Sequence, residues 1–259
     1  MRFCNLILLC FFALSLPLGW KWARGPAPSH LVKESSGCIQ ASLDRATTAA
    51  LSQPFTSWGR GSQSEVFLSR DGKWVLKIPR NKKVRPYLLG RFRTSSRVKS
   101  CLNSYRVSGQ ELAPETAVSY VHHGDPIAMP GEFALIDRLG RKMCVDAGAL
   151  PFALQRRVHL MAEVLKTETN LEEKKRILGA LIDLIAVERE KGWICSDYSF
   201  VLNLGYEEGR AFRVDIGSYR LAKESFNWAK VTKPVRHFLQ DYKEFTVCGW
   251  WDEEIQKRN

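Results

Sequence analysis

No acidic residue occurs between Lys73 and Gln110, although eleven lysines and arginines do. That absence gathers almost all of the chain's formal charge of +12 into one window. Such a window attracts an anion: lipid headgroups, nucleotide phosphates or an acidic protein. It equally describes the solvated face of a basic helix. Aromatic residues are not interleaved with these charges as a stacking platform for bases requires, which disfavours nucleic acid as a partner. Also absent is any C-x-x-C. The seven cysteines (Cys4, Cys10, Cys38, Cys101, Cys144, Cys195 and Cys248) are odd in number, so neither a zinc site nor a dense disulfide framework is indicated. Reduced thiols, and hence a reducing compartment, are the plainer reading. Repeats and low-complexity tracts are missing too. What remains is a globular composition, 45% hydrophobic and 25% charged over 259 residues, enough for one large domain or two small lobes.

The one long apolar run is Phe3 to Trp20, preceded by Arg2. Residues 1–24 read as a signal peptide or signal anchor, and hence as membrane association or export. Bulky residues in Gly19-Trp20-Lys21-Trp22-Ala23 spoil a cleavage site. Positive charge flanks the run on both sides, so orientation stays open. Residues 25–54 read as a Pro/Ser-rich linker followed by a short helix, Ala41 to Leu51, stopped by Pro54.

Alternation and turn residues then predict strands. Ser64 to Ser69 is one, Arg70-Asp71-Gly72-Lys73 is a tight turn, and Trp74 to Pro79 (W-V-L-K-I-P) is the next. Gly59 and Gly61 allow a turn to bring backbone amides close to phosphate oxygens. Lys77 shares a strand face with Val75. A lysine on a buried face requires an anionic partner, either a nucleotide phosphate or a helix carboxylate. Farther on, Thr116 to His122 and Phe133 to Arg138 read as strands, with His122-His123 an exposed turn and not a metal site. Leu150 to Leu165 reads as a helix.

A long helix follows. Asn170-Leu-Glu-Glu173 resembles a capping box, Leu178, Leu181, Ile182 and Ile185 form an apolar stripe, and Lys191-Gly192 is a fitting stop. Beyond it, Phe200 to Tyr206 and Arg210 to Ile216 read as two strands joined by Glu207-Glu208-Gly209. Such a hairpin brings Asn203 towards Asp215, an oxygen-rich pair suited to magnesium and phosphate. Near the C-terminus a helix is expected after Pro234, and Val247-Cys-Gly-Trp-Trp251 reads as packing.

In order along the chain, these motifs resemble those of the protein-kinase-like superfamily. Gly59-x-Gly61-x-x-Ser64-x-Val66 is similar to its glycine loop, with serine for the third glycine. Val75-Leu76-Lys77 is similar to V-A-I-K, Asp197 with Asn203 to the catalytic loop, and Asp215-Ile216-Gly217 to D-F-G. The resemblance covers about Phe55 to Arg220. It implies an α+β, two-lobed fold: an antiparallel-sheet N-lobe over 55–140, with a hinge near Asp137 to Arg141, and a reduced helical C-lobe over 141–259. It also implies ATP and Mg2+ as cofactors. Backbone amides of Gly59, Gly61, Ser62 and Gln63 would cover the phosphates, with Ser64 and Val66 closing the loop. Lys77 would pair with the phosphates and with a helix carboxylate, Glu111 or its rival Glu115. Asn203 and Asp215 would hold the metal, and Asp197 would orient or deprotonate the acceptor hydroxyl. Departures are plain. Cys195-Ser196-Asp197 stands where the family has H-R-D, Asn203 is one residue farther from Asp197 than usual, A-P-E is absent, and 42 residues follow Gly217. In outline the chain is similar to small bacterial kinase-like phosphotransferases. A pseudokinase-like nucleotide binder and a membrane-anchored adaptor gripping an anionic partner are the alternatives.

Overall fold

The computed structural model describes residues 43–61, 63–80, 96–124, 131–148, 150–222 and 226–258. The apolar run of residues 1–24, the Pro/Ser-rich linker, Ser62 and the basic stretch 81–95 lie outside the described residues. Among the described residues, no helix is long and apolar enough to cross a membrane.

In chain order the elements begin with α1 (Arg45–Leu51), β1 (Phe55–Arg60), β2 (Ser64–Ser69) and β3 (Trp74–Pro79). Next come α2 (Ser96–Gln110), α3 (Ala113–Thr116), β4 (Val118–His123), β5 (Glu132–Ile136), β6 (Lys142–Asp146), β7 (Pro151–Arg156) and β8 (His159–Leu160). The chain continues through α4 (Met161–Thr167), α5 (Leu171–Glu190), β9 (Trp193–Cys195), α6 (Phe200–Asn203), β10 (Leu204–Glu207), β11 (Arg210–Arg213), β12 (Tyr219–Leu221), α7 (Trp228–Asp241) and α8 (Phe245–Gln256). The protein is α+β. Its described residues form two compact units: those up to 80 with 122–152, and 96–121 with 153–258.

In the first unit β3, β2, β1, β5 and β6 lie side by side in that order. The sheet is mixed, not purely antiparallel as expected, because β5 joins β1 in parallel. A parallel neighbour needs a long connection, and the chain between β1 and β5 supplies one. The β2 and β3 strands and the turn between them fall where the sequence places them. Gly72 takes φ +71 there, and Asp71 ties the turn by accepting from the Lys73 amide at 3.0 Å. Asp137 to Arg141 is the turn of the β5–β6 hairpin and not a hinge. Asp137 Oδ1 accepts from the amides of Leu139 and Arg141, and Gly140 supplies φ +79. His122 is also corrected: it is buried, with Nε2 3.1 Å from the Gly148 carbonyl and its ring against Phe152.

The second unit is built around α5. Asn170 caps it, its side chain accepting from the amides of Glu172 at 2.9 Å and Glu173 at 3.1 Å. Leu178, Leu181, Ile182 and Ile185 are buried, with Phe200, Phe238 and Trp251 in the same apolar cluster. Gly192, at φ +80, ends the helix in the left-handed conformation. Replacing Asn170 by Ala leaves two orphan amides and is expected to cost about 1 kcal/mol, read as a lowered midpoint in denaturant.

Three further readings change. Pro151 to Gln155 is strand, not helix, and every residue of that run is buried. Apolar periodicity does not separate a short fully buried strand from a helix, and Pro is at home as a first strand residue. Of the expected helix only the end, from Met161, is helical, in a helix that runs on to Thr167. Phe200 to Asn203 is a single helical turn: Phe200 and Asn203 are buried while Val201 and Leu202 are exposed, the i, i+3 pattern of a helix face. Helix α7 starts at Trp228, six residues before Pro234, capped by Asn227 accepting from the Lys230 amide. None of the four described cysteines, Cys101, Cys144, Cys195 and Cys248, is in a disulfide.

Candidate functional site

Two clusters of candidate residues exist, one in each unit. In the first, Gly59 pairs with Val66 and Val66 with Lys77, so the three form one row across β1, β2 and β3. Directly opposed residues share a sheet face, so Lys77 lies on the Gly59 and Val66 face, as does Ser64, two residues before Val66. Lys77 is buried. A Cβ added to Gly59 would meet nothing within 4 Å, so the space beyond that end of the row is open. Trp58 is the extra residue of a bulge between Ser57 and Gly59, and its ring is exposed. The Gly61 amide donates to the Ser64 carbonyl at 2.9 Å, closing the hairpin, and the Gln63 carbonyl accepts from Arg80. The opposite face carries a group that sequence reasoning missed. Glu65 is buried, accepting from Arg60 at 2.8 Å and Arg80 at 3.3 Å.

In the second unit β10 and β11 form a two-residue hairpin. Glu208 (φ +50) and Gly209 (φ +77) are both left-handed, as a type I′ turn requires. The register pairs Leu204 with Arg213, and the Val214 amide donates to the Asn203 carbonyl at 2.8 Å. One residue later comes Asp215, whose Oδ1 accepts from the Gly217 amide at 3.0 Å. Beyond that turn, the Ser218 carbonyl accepts from the Ser196 amide at 2.8 Å and from the Ser196 hydroxyl at 2.9 Å. The loop from Asp197 to Asn203 is thus fastened at its two ends to the two flanks of Asp215-Ile216-Gly217. Asp197 is exposed, with Oδ1 accepting from the Ser199 amide at 3.0 Å.

The donors present fit a magnesium–phosphate group. Asn203 is buried and, among the described residues, its Nδ2 has no hydrogen-bond partner. A half-turn of the amide exchanges N and O, and then presents a carbonyl oxygen at that position. Among the described residues, no group of three or more His, Cys, Asp or Glu could form an all-protein metal cage. Magnesium with a nucleotide needs no such cage: one or two protein oxygens suffice, with phosphates and water completing the shell.

Glu111 sits just past the end of α2. Its Oε2 accepts from Trp193 Nε1 at 2.5 Å and its Oε1 from Arg106 at 3.3 Å. Glu115 pairs with Lys191 at 2.9 Å. Both carboxylates therefore have partners within the second unit.

A further buried set lies beside the Asp215 turn and was missed in the sequence. Glu188 of α5 accepts from Arg213 Nε at 3.1 Å, Arg213 Nη2 at 2.7 Å and the Tyr219 hydroxyl at 2.6 Å. Burial alone would lower the Arg213 pKa, but the Glu188 carboxylate holds it well above its ordinary value. Burial and the same carboxylate raise that of Tyr219. Burial also pushes the neighbouring Cys195 thiol up to about 11, so it stays protonated and unreactive. The signal for Glu188 was available, since it continues the stripe three residues after Ile185.

No family model matches the chain, and no curated protein matches it. Solved structures do. A 2.2 Å structure of WbdD is 17% identical with a TM-score of 0.42, covering 74% of this chain and 38% of that one. A WbdD complex with the kinase inhibitor LY294002 is 15% identical with a TM-score of 0.37, over 73% and 37%. A third, described as the bifunctional kinase–methyltransferase WbdD, is 13% identical with a TM-score of 0.34, over 71% and 34%. The chain thus spans little more than a third of the length of these structures.

Proposed function

We propose that the protein is a kinase-like, magnesium-dependent nucleotide-binding protein that transfers phosphate from ATP to a hydroxyl acceptor. The observation that carries this reading is the fastening of the Asp197–Asn203 loop to both flanks of the Asp215 turn by the Val214 and Ser196 amides. That arrangement sets an exposed carboxylate, a buried amide and a second carboxylate around one turn, in the order the motif resemblance implies. Asn203 and Asp215 would hold magnesium, which when bound neutralises charge on the transferring phosphate. Asp197 has one carboxylate oxygen committed to the Ser199 amide, which fixes its direction, and its other oxygen would accept the acceptor's proton. Lys77, in its row with Gly59 and Val66, would pair with the nucleotide phosphates.

Magnesium-ATP is therefore expected to raise the melting temperature of the full chain. A ligand at about 100 times its Kd adds roughly 2.7 kcal/mol. For a chain of this size that is a rise on the order of 5–10 °C. Asp215→Ala and Lys77→Ala should each remove the rise. An unchanged melting temperature at millimolar magnesium-ATP would refute the reading. Binding without product under every acceptor class tried would reduce it to nucleotide binding alone.

A further inference from the structure

The turn Asp215-Ile216-Gly217 has one buried carboxylate bonded to residues on both of its flanks. Arg213 lies two residues before Asp215, and Tyr219 two residues after Gly217. Glu188, in the last turn of α5, accepts from both, with all three side chains almost fully enclosed. Each flank is tied a second time through its backbone. Gln155 Nε2 donates to the Arg213 carbonyl at 3.0 Å, and the Tyr219 amide donates to Ser104 Oγ at 3.0 Å.

A buried ion pair contributes little net stability compared with apolar residues of the same shape, because desolvation offsets its attraction. What it supplies well is direction. The Arg213 fork meets both carboxylate oxygens and so fixes the plane of Glu188, while the Tyr219 hydroxyl sets the distance to the other flank. The loop before Asp197 has Cys195 and Ser196 in the positions where the resemblance expects a histidine and an arginine. Cys195 is a protonated thiol and offers no charged support.

We propose that Glu188, Arg213 and Tyr219 are positioning residues that set the Asp215 turn in its metal-binding geometry before any ligand arrives. This rests on the reading of Asp215 as a magnesium ligand. Ligands held in advance need no reorganisation on binding, whereas a loose turn must be ordered by the metal itself.

Tyr219→Phe tests this with the smallest change, since it removes one hydroxyl and keeps the ring. Ile255→Val, in α8, serves as a packing control of modest cost. In the unliganded full chain, amide hydrogen exchange at Gly217 is expected to speed up about tenfold in Tyr219→Phe, as suits loss of one bond to a charged group. Amides in the middle of α5 should keep their wild-type rates, and Ile255→Val should leave Gly217 unchanged. In ATP titrations the magnesium concentration for half-maximal binding should rise about tenfold in Tyr219→Phe. Arg213→Lys, which keeps the charge and loses the fork, should move both readouts in the same direction. Wild-type exchange at Gly217 in Tyr219→Phe would overturn the proposal, as would an equal effect of Ile255→Val. If the wild-type chain binds no magnesium-ATP, the proposed function falls, and exchange in the unliganded chain still decides whether the three residues hold the turn.

Discussion

Glu188→Ala is expected to destabilise the second unit by about 3–5 kcal/mol, measured by denaturant unfolding followed through its tryptophans. The expectation follows from what the substitution leaves behind. Arg213 is buried, and its guanidinium would lose both of its charge-assisted bonds. The Tyr219 hydroxyl would lose its acceptor as well. The cost is thus that of stranded partners and not the net value of the ion pair, and a double variant separates the two. Glu188→Leu combined with Arg213→Met removes both charges together and should recover most of the loss, because an apolar pair of similar volume packs without desolvation. Should the double variant be as unstable as Glu188→Ala, the ion pair itself would be the source of stability and the argument from desolvation would fail.

That cluster also shows where the sequence stops being informative. The local signals were legible. Asp71-Gly72 gave the turn between β2 and β3, Asn170 and Gly192 bounded α5, and Glu208-Gly209 gave the β10–β11 hairpin, because each is decided by residues within a few positions of itself. Long-range choices were not. Gln155 falls inside the expected helix Leu150 to Leu165, but its side chain donates to the Thr116 and Arg213 carbonyls, contacts 39 and 58 residues away in the chain. Nothing near Arg213 in the chain says that Glu188 is its partner. The parallel pairing of β5 with β1 is likewise a tertiary choice that neither strand's own pattern states.

Phe200 is the clearest case of tertiary structure overriding a local pattern, and truncating it is the second large effect expected. Alternation over Phe200 to Tyr206 favours a strand, but a strand would turn Phe200 and Leu202 to the same side. The one-turn helix separates them: Phe200 is 2% exposed and Leu202 65%. The Phe200 ring sits 4.9 Å from that of Phe238, within the cluster that α5 and α7 enclose. Phe200→Ala should therefore cost about 3–5 kcal/mol, with about 0.5–1.5 kcal/mol of it shared with Phe238 in a double-mutant cycle. Leu202→Ala should stay within about 0.5 kcal/mol of wild type. The consequence reaches the site, because Phe200 is the only residue between Asp197 and Asn203 whose side chain is anchored in the core. Losing that anchor frees the loop between its two end bonds, so Phe200→Ala should weaken magnesium-ATP binding at temperatures where the chain is still folded, while Phe200→Leu, which refills most of the cavity, should restore it. A Phe200→Ala protein that is folded and binds magnesium-ATP like wild type would show that the backbone bonds to Ser218 and Val214 position Asn203 unaided.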